Sequence, residues 1–158
     1  MTEVITLIAG IIVGVIWAWP IRKDKEHTFE RFYVSVVFIA IGLNGIFFGF
    51  IPHIFFADYI AKNIGWPTGS PFQFEVGAHD GCWGILGILS ARYKRGFLQA
   101  SSIGYSAFLL IAGGNHLREV VLKGNYAPYN FQYIAGDILL AAVFLFLAWK
   151  YSKRPSLD

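Results

Sequence analysis

The chain has 158 residues, 56% of them hydrophobic, 18% aromatic and 15% charged, with a formal net charge of +3. An ordinary soluble domain is about 45–50% apolar and about 25% charged, so this composition and a mean hydropathy of +0.53 exclude a simple soluble globule. The basic residues sit in short clusters between apolar runs, which excludes a nucleic-acid-binding face. The single cysteine, Cys82, excludes an intrachain disulfide or a CxxC metal knuckle.

The apolar runs predict one domain, residues 1–158, an all-α integral membrane protein built as a bundle of five transmembrane helices. The spans fall at residues 4–21, 32–56, 72–93, 98–122 and 129–151. Each approaches or exceeds the ~20 residues needed to cross a hydrocarbon core. The first span lacks a preceding basic flank and a following small-residue cleavage site, so it reads as a retained helix.

Positive charge gives the expected orientation. Arg22, Lys23, Lys25 and Arg31 lie between spans one and two, Arg92, Lys94 and Arg95 between three and four, and Lys150, Lys153 and Arg154 after span five. Lys62, Arg118 and Lys123 lie on the other side. This alternation predicts an N-terminus outside, a C-terminus in the cytoplasm, and a multi-pass protein of the cell (inner or cytoplasmic) membrane. Trp17, Trp19, Trp66 and Trp149 fall at the expected interfaces. The pairs Gly10/Gly14, Gly45/Gly49 and Gly77/Gly81 suit close helix packing in lipid.

The second span carries Asn44 at mid-depth, read as an interhelical hydrogen bond, and His53 near its outer end. Before it, Glu26, His27 and Glu30 read as a solvated cytoplasmic face. In the following outer loop Pro67 and Pro71 stiffen the turn, and Gly65 and Gly69 supply unusual φ values. With Gly124-Asn125, which suits a left-handed helix cap, this loop is expected to form a lid.

Span three then holds Glu75, His79 and Asp80. Glu75, His79 and Cys82, at offsets 0, 4 and 7, share one stripe, whereas Gly77, Gly81 and Gly84 form roughly the opposite face. Asp80 is turned away from the Glu75 stripe, toward another helix or a cavity. Cys82 reads as a small core residue whose phase also permits metal ligation. Span four brings His116 and Glu119 to one face, and span five brings Asn130, Tyr133 and Asp137. At 1.5 Å rise per residue, Glu75, His79, His116, Glu119 and Asp137 fall within roughly 5–15 Å of the outer interface. The inner halves carry almost nothing comparable, and ionisable groups inside a membrane are costly enough to be functional by default.

Three functional readings follow. Glu75, His79, His116, Glu119 and Asp137 form a ligand set suited to a transition metal such as iron, copper, zinc or manganese, and a redox role would follow from iron. Two of His53, His79 and His116 could instead hold haem b. An Asp/Glu/His chain could also relay protons or serve a small proton- or cation-coupled carrier. The bland reading is that these groups pair with one another and with Arg118, in a non-catalytic subunit of a larger membrane complex or in a homo-oligomer. The bilayer is the one partner every reading shares. No P-loop, GxSxG or HExxH pattern occurs, so no enzyme class is indicated.

The string Ile64-Gly-Trp-Pro-Thr-Gly-Ser-Pro-Phe-Gln-Phe-Glu-Val-Gly77, with Gly124-Asn-Tyr-Ala-Pro-Tyr-Asn130 and Asp137, resembles an uncharacterised family of small prokaryotic multi-span membrane proteins. The resemblance implies a helical membrane fold, places Glu75, His116 and Asp137 at family positions, and implies no activity. His79-Asp80 departs from the Asn and apolar residue expected there.

Overall fold

A computed structural model describes residues 2–154, and the described residues are helical throughout, with no strand. The order is α1 (Thr2–Ala18), a 3-10 turn (Trp19–Ile21), α2 (Lys25–Val37), two π-type stretches (Phe38–Leu43 and Gly45–Phe50), α3 (Ile51–Phe55), α4 (Ala57–Ile64), α5 (Phe72–Leu89), α6 (Gly96–Lys123) and α7 (Pro128–Ser152). From α2 to α3 the backbone is one rod. Pro52 cannot supply the amide that would bond to Phe48, and the widened turns lie immediately before it.

Four segments are long and apolar enough to cross a membrane: Thr2–Ile21, His27–Phe55, Gly96–Lys123 and Pro128–Ser152. They match four of the five expected spans to within a few residues. Helix α5 matches the remaining one in position, but Gln73, Glu75, His79 and Asp80 dilute its apolar character and it is not among the four. The outer loop also contains α4, an eight-residue helix that the sequence reading took as loop.

The rod is the centre of the bundle. Tyr33, Val34, Val36, Val37, Ala40 and Ile41 are all buried, and the rod touches α1, α5, α6 and α7. Glycine sets its closest approaches. A Cβ on Gly45 would lie 2.7 Å from the Asp80 carbonyl and 2.8 Å from Gly84, so the rod and α5 meet almost backbone to backbone. Gly77 faces His53 and Ile54, Gly81 faces Phe50, and Gly84 faces Ile46. Small residues serve this purpose where lipid leaves no hydrophobic drive between helices. Gly10 and Gly14 likewise seat α1 against Val36 and Phe32.

Helices α6 and α7 form the most extensive pair in the bundle. Ser106 Oγ donates to Ser102 O (2.7 Å) and Ala141 O (3.3 Å), and Tyr33 Oη donates to Ser102 Oγ (2.7 Å), tying the pair to the rod. In contrast, α5 touches α6 only sparsely. The bundle is therefore split between α5 and α6, and a cavity lies in that split.

The end expected to face the cytoplasm departs from expectation. Glu30 is buried, not a solvated face: it accepts hydrogen bonds from Lys94 Nζ (2.8 Å) and Tyr151 Oη (2.6 Å). His27 is exposed and pairs with Asp24 at 2.6 Å, as a solvated surface predicts.

Candidate functional site

The half of the bundle capped by the α4–α5 and α6–α7 loops encloses a partly open cavity of about 440 Å³. Every long segment of the fold contributes: Glu3 from α1, Asn44 and His53 from the rod, Glu75, His79 and Asp80 from α5, Tyr105 and His116 from α6, Tyr133 and Asp137 from α7. Rings of Phe48, Trp66, Phe72 and Phe108 complete the wall. Four carboxylates thus line one cavity, and no lysine or arginine is among its lining side chains.

Position along each helix explains the convergence. Helix α5 presses its glycine face on the rod, which turns Asp80 into the narrow space beside Gly49: a Cβ there would lie 2.6 Å from the Asp80 Cβ. Gly113 on α6 makes room for Asp137 in the same way, at 3.0 Å. Gly136 on α7 clears the Glu3 carboxylate, with Oε2 2.9 Å from where a Cβ would stand. Among the described residues, Glu3 Oε2 is buried and accepts no hydrogen bond. A buried carboxylate oxygen without a hydrogen bond is costly in an apolar wall, so such a group is met by a neighbouring or bound cation or by a proton.

Each cavity histidine is held by a neighbour. His116 Nδ1 is 2.8 Å from Asn130 Oδ1. Its ring is stacked on Trp66, with centroids 5.8 Å apart and planes 11° apart, and Tyr133 lies 5.5 Å away on α7. His53 Nδ1 is 2.7 Å from Gln73 Oε1, and both residues are buried. His79 is exposed at the cleft, 4.3 Å from the Phe108 ring, and its Nε2 accepts the Trp83 Nε1–H at 3.1 Å. An imidazole held through one nitrogen presents the other, so His53 and His116 offer Nε2 whereas His79 offers Nδ1.

The roof is built from the two outer loops. Asn125 Nδ2 donates to Ile64 O (2.9 Å), and Asn130 Nδ2 donates to Asn125 O (2.8 Å). Gly69 N donates to Asp58 Oδ1 at 2.8 Å, which pins the loop to α4. Gly65 (φ 79°) closes α4, with Trp66 N donating to Ala61 O, and this left-handed turn is what carries Trp66 over His116. The expected lid is present, with Trp66 as the residue that reaches furthest in.

The sequence-derived candidates separate as follows. His53, Glu75, His79, His116 and Asp137 share the cavity, and Asp80 joins them although it lies off the Glu75 stripe. Glu119 does not: it is buried and paired with Lys123 Nζ at 2.8 Å, one turn along α6. Cys82 is exposed rather than in the core, because the glycine face, not the Glu75–His79–Cys82 stripe, takes the contact with the rod. Among the described residues, no three His, Cys, Asp or Glu side chains are grouped closely enough to hold a metal ion. Asn44 makes the expected interhelical bond, accepting Thr6 Oγ1 at 3.2 Å. Glu3 and Tyr105 were not anticipated. Glu3 and Thr6 are three apart and one turn before Gly10, so they continue the face that α1 buries.

Fold and cavity together define an all-helical protein with four helices able to cross a membrane and an acidic chamber between its helices. The chain belongs to a family of unknown function, DUF6790, whose model matches residues 1–156. This agrees with the resemblance to an uncharacterised family drawn from the outer-loop string. No curated protein and no solved structure matches the chain.

Proposed function

We propose that the protein binds a small organic cation, a primary or quaternary amine, inside the membrane. The observation that carries this reading is a cavity of about 440 Å³ lined by Glu3, Glu75, Asp80 and Asp137 with no lysine or arginine facing them. Ligand pockets for small molecules are typically ~300–1,000 Å³, largely apolar, with few polar groups. A metal ion would leave most of this volume empty, whereas an ammonium group with alkyl substituents occupies more of it. Rings of Trp66, Phe72, Phe108 and Tyr133 supply faces for the cation, worth about 2 kcal/mol or more where water is excluded.

In this reading the fifth span is α5. Its glycine face follows the rod from Gly42 beside Gly87 to Ile54 beside Gly77, so it shares the depth of a spanning helix. The basic clusters then set the N-terminus outside and the C-terminus in the cytoplasm. The chamber opens toward the outer leaflet of the cell membrane.

A titration followed by tryptophan emission tests the proposal, with Trp66→Phe identifying the contribution of the roof. Choline should quench in a saturable manner, and its neutral isostere 3,3-dimethylbutanol should not. Equal responses to the two would remove the cation requirement and the reading with it.

A second reading, a transition metal, is favoured by the amide clamps on His53 and His116. Metal-ligating histidines are commonly oriented through their second nitrogen in this way. Side chains would have to move to bring the Nε2 atoms of His53 and His116 together with the carboxylate of Asp137 or Glu75, because no three such groups among the described residues are close enough to hold an ion, and Glu119 would take no part. Elemental analysis of natively expressed protein decides it: about one equivalent of a single metal per chain supports it, and none counts against it.

A further inference from the structure

The acidic cavity has a side window. Exposed lining residues gather where α5 and α6 part, Glu75 and His79 on one side and Ile111 and Asn115 on the other. Toward the middle of the bundle the window ends at the His79 and Phe108 rings, 4.3 Å apart, and a turn deeper Trp83 fills the space beside Gly104. Toward the loops it ends at Trp66, whose ring meets Phe72 edge-on at 5.4 Å. We propose that the ligand of the cavity is a single-chain amphiphilic amine, its ammonium head among Glu75, Asp80 and Asp137 and its hydrocarbon chain leaving through this window. The proposal rests on the cation reading above and adds the chain of the ligand and its route.

The position of the window favours a chain-bearing cation over a fully water-soluble one. Ile111 is 74% exposed and stands twelve residues, about 18 Å, before the end of α6, a helix able to cross a membrane. A helix face at that depth meets acyl chains. Beyond the window the exposed side of α5 runs on through Cys82 and Ile85, an apolar track along which a chain can lie. The loop end is roofed instead: Asn125 Nδ2 donates to Ile64 O at 2.9 Å, and Trp66 is stacked on His116 beneath those loops. Carboxylates inside, an apolar opening in the wall and hydrocarbon beyond repeat the order of groups in an amphiphilic amine, with the charged head desolvated only where carboxylates face it.

Calorimetry of the full chain in detergent, with titrant concentrations corrected for uptake by protein-free micelles, compares choline with octyltrimethylammonium. Wild-type protein should bind the octyl compound about tenfold or more tightly, since two methylenes buried against the window at about fourfold each suffice. Ile111→Trp plugs the window and should cut that advantage to about twofold or less. Ile103→Trp, exposed on the same helix but away from the cavity, should keep it. A diazirine at the end of the octyl chain gives a second readout if Ile111→Trp does not fold. In wild-type protein the labelling that excess choline suppresses should fall beside the window, at Ile111, Cys82 or Ile85. Choline binding with no gain from the octyl chain, an unaltered advantage in Ile111→Trp, or choline-suppressed labelling at Phe48 or in the roof loops would each overturn this proposal alone. Failure of both compounds to bind would overturn it together with the cation reading.

Discussion

The Nδ1 of His116 lies 2.8 Å from Asn130 Oδ1, and the Asn130 amide nitrogen is committed to Asn125 O at 2.8 Å and His116 O at 3.3 Å. Because that nitrogen faces two carbonyls, the amide oxygen must face the imidazole. The histidine therefore donates from Nδ1, and its Nε2 carries the lone pair on the cavity side of the clamp. Nitrogen-15 spectra of histidine-labelled protein should show the Nδ1–H tautomer for His116, and an Nε2–H signal would contradict the clamp. Asn130 is fully buried. Asn130→Ala leaves the Asn125 carbonyl and the His116 imidazole without this partner and should cost about 1–3 kcal/mol for the groups left unsatisfied, read as a lower midpoint in detergent unfolding.

At the inner end, Tyr151 and Lys94 converge on the buried carboxylate of Glu30 from 121 and 64 residues away. Tyr151→Phe removes a 2.6 Å hydrogen bond to a charged acceptor and should lower stability by about 1.5–3 kcal/mol. Lys94→Ala should cost less, about 1 kcal/mol or below, because its side chain is 45% exposed and water can replace it. Unfolding midpoints of the two variants measure the order directly, and a larger loss for Lys94→Ala would contradict this account of the junction.

The contact between the rod and α5 depends on glycine at Gly45. Gly45→Ala places a methyl group 2.7 Å from the Asp80 carbonyl oxygen, backbone that cannot swing aside, and overpacking of this kind costs about 1–3 kcal/mol. Gly114→Ala on α6 meets nothing within 4 Å and replaces a poor helix former by a good one. The first variant should lose monodispersity on heating earlier than wild type, and the second should match or exceed wild type.

These residues also show what was legible in the sequence and why the remainder was not. The glycine face of α5 could be read from spacing because close packing in lipid demands small residues at i and i+4 positions. The outer lid could be read from Pro67, Gly65, Gly69 and Gly124, whose backbone preferences are local. Glu30 could not be placed, because its burial is decided by Tyr151 and Lys94, far away in the chain. Glu3 was missed for a different reason: a carboxylate three residues from the start reads as a solvated end, yet α1 reaches deep enough to bury its Oε2. Cys82 was assigned to the core because both faces of α5 were expected to be covered. The split between α5 and α6 leaves the Cys82 side of α5 uncovered.

The account turns on whether the carboxylates of the cavity hold a cation. Calorimetric titration of choline into detergent-solubilised wild type, Glu3→Gln and Asp137→Asn tests this most directly. Wild-type protein should bind at one site, and each neutralised variant should bind about tenfold or more weakly, because one close ion pair between the ammonium and a carboxylate is lost. Equal affinity in all three folded proteins would contradict the account.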